Sequence, residues 1–193
     1  MALSDTELIL ESQNGNISAF EELVHKYDRH VLSIAMKYSG DYDDANDIYQ
    51  EVFIRVYRAL KNFRFQSEFS TWLFRVTTNV CLTYRSNKSK NIKLSLSAPE
   101  EDETTAFSDL QGDENEAPDK IFLDSELSRS VSNALDKLSS KQKLCFTLKH
   151  LEGYKLREIA VMMNCKEGTV KKYLFDAIKK IRENLKEFSL KEV

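Results

Sequence analysis

From Phe20 to Tyr38 the apolar residues return every three or four positions: Phe20, Leu23, Val24, Tyr27, Val31, Ile34, Ala35 and Tyr38. That interval gathers them on one stripe of an α-helix, whereas a strand would alternate them. The interval recurs in Ala45, Ile48, Val52, Phe53, Val56, Tyr57 and Leu60, and again in Trp72, Leu73, Val76, Val80 and Leu82. Turn residues are scarce, with 5 Gly and 2 Pro in 193 residues. Sheets need turns often, so this scarcity favours helices joined by short connections. The expected fold class is all-α.

Starts and stops can be read between the stripes. Ser4 with Glu7, and Ser18 with Glu21, have capping-box spacing. Gly40 is a stop, and Asp41, Asp43 and Asp44 crowd the next start, where a helix dipole favours anions. A third helix opens between Ser67 and Ser70, and its pattern fades near Tyr84. Pro118 and Asp119 start another, with Ile121, Phe122, Leu127, Val131, Leu135 and Leu138 inward. Ser139 and Ser140 restart a helix through Leu144, Phe146, Leu148 and Leu151, and Gly153 breaks it.

Charge divides the chain more sharply than its net value of -3 suggests. Residues 1–95 are balanced, 96–126 hold 11 acidic and 1 basic residue, and 127–193 hold 15 basic and 8 acidic. The acidic strip has too little apolar content to fold alone. The expected organisation is two small helical domains, 1–90 and 119–193, joined by a flexible acidic linker over 91–118. The strip is either a solvated tether or a mimic of nucleic acid that lies in a basic channel of a partner enzyme or masks the basic domain. The basic end is compatible with phosphate binding.

The segment LEGYKLREIAVMMNCKEGTVKKYLFDAIKKIREN reads as a helix-turn-helix. Leu156, Ile159, Ala160 and Met163 can pack on Val170, Leu174 and Ala177, with Gly168 or Thr169 opening the second helix. Lys171, Lys172, Tyr173, Asp176 and Lys179 then form its outer face. A recognition helix presents such a face to a major groove; a plain αα-hairpin with a solvated basic face would show the same periodicity. The stretch RFQSEFSTWLFRVTTN is the other constellation. Its aromatics, with Arg75 and Asn79 among them and Arg85 and Lys88 just beyond, suit unstacked bases and phosphates. Trp72, Leu73, Val76 and Val80 serve equally well as core.

The wording DANDIYQEVFIRVYRALKNF, then FSTWLFRVTTNVCL, then LSSKQKLCFTLKHLEGYKLREIAVMMNCKEGTVKKYL resembles bacterial sigma factors of the extracytoplasmic function (ECF) group. The resemblance spans about 20–85 and 125–187 in the family's order. It implies a transcription initiation factor that binds core RNA polymerase and directs promoter recognition and melting. It implies polymerase docking through Asp47, Gln50, Glu51 and Phe53. It implies reading of the minus-ten element near the Asn62–Ser67 loop and along the third helix, by Phe63, Arg64, Arg75, Asn79, Arg85 and Lys88. The minus-thirty-five element falls to Lys166, Glu167, Thr169, Lys171, Lys172, Tyr173 and Asp176. An anti-sigma factor is a further implied partner. The chain also departs from the pattern. Lys172-Tyr173 replaces a common Ser-Arg, and Asp176 replaces a common Arg, where a carboxylate can accept from a cytosine amino group. Lys155 stands at a common Ser cap, and Thr78 and Thr83 replace a common Arg and Asp.

Other classes fit less well. His25, His30 and His150 have no ligand or triad partners at the required spacing, and no phosphate-cradling glycine loop occurs. No enzyme activity, metal or cofactor is expected. No run approaches the roughly 18 apolar residues of a membrane span, and the three isolated Cys suit a reducing, cytoplasmic setting. The serious alternative is a helix-turn-helix regulator that works without polymerase and would not need the Asp47–Phe53 face.

Overall fold

The structure, a computed structural model, describes residues 3–95 and 131–189, with side chains placed for 3–87 and 131–185. The described residues form helices and connections, with no strand among them. The helices are α1 (Asp5–Gln13), α2 (Ile17–Ser39), α3 (Tyr42–Leu60), α4 (Phe69–Ser95), α5 (Ser140–Phe146), α6 (Leu156–Met162) and α7 (Glu167–Ser189). A π-helical turn, Thr147–Leu151, follows α5, and residues 131–136 are helical before it.

Local chemistry sets the boundaries. Ser4 caps α1 in a reciprocal box with Glu7, whose carboxyl is held below its usual range by the Ser4 hydroxyl and backbone N–H. Asn16, not Ser18, caps α2, accepting from the Ala19 N–H at 3.3 Å. Gly15 turns the chain at φ 95°, so the first good acceptor after it starts the helix. Gly40 ends α2 in the left-handed region, φ 81°, and Asp41 caps α3. Ser139 and Gln142 form the box that starts α5. Lys155 offers α6 no acceptor, and Glu158 instead takes the Lys155 N–H at 2.7 Å. α7 opens at Glu167, one residue before Gly168.

Two sequence expectations need correction. α4 does not fade near Tyr84 but runs to Ser95, past the expected domain boundary at 90. Nothing between Tyr84 and Ser95 is Gly or Pro, so neither of the strongest helix breakers ends the helix there. The expected start at Pro118 and the inner residues Ile121, Phe122 and Leu127 lie outside the described residues, as does the rest of the acidic strip. Downstream, Leu138 is buried as expected, with Ala134 beside it, while Val131 and Leu135 are half-buried.

α1, α2, α3 and α4 pack around Leu23, Val31, Ile34, Ile48, Val52 and Leu73, all nearly inaccessible. α5 and α6 pack on α7 through Leu144, Leu148, Ile159, Val170 and Ala177. Met162 fills the buried place expected of Met163, which is half-buried. Burying one such aliphatic side chain contributes about 1.5–3 kcal/mol. The two halves do not stand apart. α4 packs on α5 and α6, α2 packs on the π-turn, and one continuous buried cluster runs from Leu8 to Leu174.

Candidate polymerase and nucleic-acid surfaces

The α3 face is built from helical spacing. Asp47 and Gln50 are exposed, and Glu51 and Arg55 are half-buried. Glu51 accepts from Arg55 Nε at 2.6 Å one turn on. The Tyr84 hydroxyl lies 3.0 Å from both Asp44 Oδ1 and Asp47 Oδ2. It ties α4 to the face and fixes one edge of the Asp47 carboxylate. Burial, then the two carboxylates, push that phenol above its ordinary range. Ile54 and Tyr57 add exposed apolar area beside these polar groups. Phe53 does not belong to the surface. It is buried, with its ring edge-on to Tyr49 at 4.9 Å, because its place in the stripe points it at the core.

The loop between α3 and α4 is an aromatic knot. Phe63 is buried, 5.1 Å from the Phe65 and Trp72 rings and 6.0 Å from Phe69. Phe63 is therefore the floor of this loop and not its reader, a correction to the expected site. Phe65 takes a left-handed backbone, φ 55°, and keeps its ring exposed. Sequence reading missed it. The signal was the Phe-Arg-Phe alternation, which buries one ring and exposes the next. Arg64 is exposed beside it. Trp72 is half-buried, its ring tilted against those of Phe63 and Phe69, so it contributes to the core while part of the ring stays accessible.

Along α4, Asn79 is exposed and Arg75 half-buried. Arg85 was expected to face DNA, yet its Nη2 donates to the carbonyls of Asp136 at 2.6 Å and Leu138 at 3.0 Å. The side chain of Lys88 lies outside the described residues. In the helix-turn-helix, Asn164 makes the turn at φ 48°. Lys166, Glu167, Lys171 and Lys172 are exposed, and Thr169, Tyr173 and Asp176 are half-buried on the α7 face. The structure thus gathers the α7 candidates on one basic helix and spreads the earlier ones over the loop and α4. Among the described residues no cluster of His, Cys, Asp and Glu could hold a metal, and no helix is long and apolar enough to cross a membrane.

An all-helical fold whose second half is a helix-turn-helix with an exposed basic face, and whose α3 carries an exposed polar edge, defines the class of helix-turn-helix proteins. The sequence matches Sigma-70 region 2 over residues 23–91 and Sigma-70, region 4 over 128–181. It is 32% identical to the RNA polymerase sigma-H factor of Pseudomonas aeruginosa, covering 90% of this chain and 89% of that one. It is 34% identical to the ECF RNA polymerase sigma-E factor of Escherichia coli K12, covering 91% of each. The fold is similar to CnrH solved with the cytosolic domain of CnrY, with TM-score 0.62, 22% identity, and 95% and 97% of the two chains covered. It is also similar to the sigma factor RpoE of Bartonella quintana solved with the anti-sigma factor NepR, with TM-score 0.59, 20% identity, and 86% and 96% covered. The chain belongs to the ECF group of RNA polymerase sigma factors.

Proposed function

We propose that this sigma factor docks on core RNA polymerase through the α3 face and lends it the ability to read and melt a promoter. Asp47 and Gln50 supply the docking contacts, with Glu51 held in register by Arg55. Arg64, Phe65, Arg75 and Asn79 engage the opened minus-ten strand. Ring stacking holds a base out of the helix, while cations and an amide meet phosphate and base edge. Lys166, Lys171, Lys172 and Tyr173 grip duplex at the minus-thirty-five element, with Asp176 placed to accept from a cytosine amino group. The protein itself carries no catalytic step and acts in the cytoplasm. An anti-sigma factor is its expected regulator, since both fold neighbours described above were solved with a bound partner.

The observation that supports this reading best is the exposed Asp47–Gln50 edge, which a polymerase-independent regulator would not need. The test is reconstitution. Purified chain should co-migrate with core polymerase, and the mixture should start transcripts at defined positions that neither component selects alone. Specific duplex binding by the free chain, with no association to core, would favour the regulator instead.

A further inference from the structure

Buried polar groups elsewhere in the fold find partners. The Glu152 side chain, 8% exposed, accepts from Ser33 Oγ at 2.8 Å and pairs with Lys37 Nζ at 3.0 Å. Thr78 Oγ1 donates to the Met162 carbonyl at 2.8 Å. Among the described residues, two buried side-chain atoms have no hydrogen-bond partner: the Tyr38 hydroxyl and Arg85 Nη1. Both residues line one cavity of about 380 Å³, inside the range of roughly 300–1,000 Å³ typical of small-molecule sites.

Both orphans can donate, and both sit beside positive charge. Tyr38, on α2, is 2% exposed. Burial, and then Cys81, push its phenol above the ordinary range, so it keeps its proton. Arg85 and Ser140 lie near that hydroxyl without meeting hydrogen-bond geometry. Arg85, on α4, spends Nη2 on the carbonyls of Asp136 and Leu138, and no carboxylate among the described residues pairs with its guanidinium. Lys143, on α5 and 4% exposed, adds an ammonium to the wall, paired with Asp136 Oδ1 at 2.8 Å and 5.9 Å from the centre of the Tyr38 ring. Unmatched buried donors are costly, and a negatively charged acceptor would match both at once.

The rest of the wall narrows the ligand. Asp41, Asp44 and Asp136 line the same cavity. Asp41 accepts from the Asp44 N–H at 2.9 Å, Asp44 from the Tyr84 hydroxyl at 3.0 Å, and Asp136 from Lys143, so each carboxylate already has a donor. Their charge opposes a doubly charged anion more than a singly charged one. Ile48 gives the wall an apolar part. We propose that this cavity binds a small organic monocarboxylate, whose oxygens accept from the Tyr38 hydroxyl and Arg85 Nη1 and whose apolar body lies against Ile48. The proposal does not rest on the polymerase and promoter roles above.

The test uses the full chain, with benzoate as the probe at fixed ionic strength and neutral pH. At about tenfold over its dissociation constant, benzoate should raise the unfolding midpoint by roughly 3–6 °C, in a saturable way. Tyr38→Phe keeps the ring and removes the hydroxyl. Its midpoint without probe should equal or exceed that of wild type, since an orphan donor is gone. Its benzoate affinity should fall about tenfold. Arg85→Lys keeps the charge, removes Nη1 and should weaken benzoate by a similar factor; if it unfolds the chain, Tyr38→Phe alone decides. Inorganic phosphate at the same concentration should shift the midpoint less than benzoate does. No saturable shift, the outcome for a cavity that holds only water, overturns the proposal. A benzoate shift of equal size in Tyr38→Phe and wild type puts the probe elsewhere and overturns it too. A phosphate response larger than that of benzoate, and lost in Tyr38→Phe, overturns the choice of a monocarboxylate.

Discussion

Thr78 Oγ1 lies 2.8 Å from the Met162 carbonyl, joining the middle of α4 to the last residue of α6. Thr78 is fully buried, and its hydroxyl is also 3.0 Å from the Arg75 carbonyl. Its place inside a helix-to-helix contact accounts for a small side chain at this position. Thr78→Val should keep the shape, lose the donor and cost about 1–2 kcal/mol in urea unfolding. Thr78→Arg would bury a cation with no partner there and should cost several-fold more, or break the cooperative transition in two. Equal, small losses for both would mean that the halves are not packed together in solution.

The bond of Asp47 to Tyr84 can be separated from the docking role proposed for it. The Asp47 carboxylate accepts from Tyr84 and also faces outward on α3. Tyr84→Phe removes only the bond and should leave core polymerase affinity within about twofold. Gln50→Ala and Asp47→Ala should each weaken core binding roughly tenfold, the cost of about 1.4 kcal/mol expected for a polar contact at an interface centre. Helical content and denaturation midpoint should change little for Gln50→Ala, because that side chain is exposed. Titration of labelled core polymerase measures all three.

Asn79 and Arg75 should act after docking. Neither lies on α3, and Asn79 is exposed on α4. Asn79→Ala and Arg75→Ala should therefore slow formation of the melted complex by about tenfold or more while core affinity stays near wild type. Permanganate reactivity of unpaired thymines would report the first quantity. Phe65→Ala belongs in the same series, since its exposed ring is a free stacking surface over the loop floor. Equal losses in core binding and melting would count against the division of roles.

What the sequence could reveal was local. The Ser4–Glu7 box, the stop at Gly40, a helix start among Asp41, Asp43 and Asp44, and a restart at Ser139-Ser140 depend on near neighbours, and all were legible. The start of α2 was read at Ser18 because that residue offers an equivalent acceptor two positions after Asn16, and only the Gly15 turn decides between them. The residues that family resemblance nominated for docking and recognition fall on α3, on the loop and α4, and on or just before α7. Phe53 and Phe63 were misjudged because a motif names positions without saying which way each ring points. The contacts of Glu152, Lys143 and Arg85 with distant partners left no periodic trace. Arg85 was assigned to DNA and Glu152 to nothing, and only the packing of α4 and α2 against the second half gives these two their partners.

The thiols give the last prediction. Cys81 and Cys145 are buried and Cys165 is partly open. Burial pushes the Cys81 thiol up to about 12. Burial and then the neighbouring Cys165 push Cys145 up to about 12 as well, and burial raises Cys165 more mildly by direction. The thiolate is the nucleophile, so at pH 8 an alkylating reagent should modify Cys165 first, with the other two at least tenfold slower. The same shifts fix the sign of the alkaline response. A thiol whose folded value is raised binds its proton more tightly when folded, so that stability is complete below its ordinary value near 9 and falls as pH climbs toward 12. Cys81→Ala should therefore flatten the loss of stability between about pH 9 and 11, even if it lowers stability at pH 7 by leaving a small cavity. Intact-protein mass spectrometry after timed alkylation reads the first outcome and denaturation midpoints across pH read the second; rapid modification of all three thiols in the folded chain would contradict the packing of α4 against the rest.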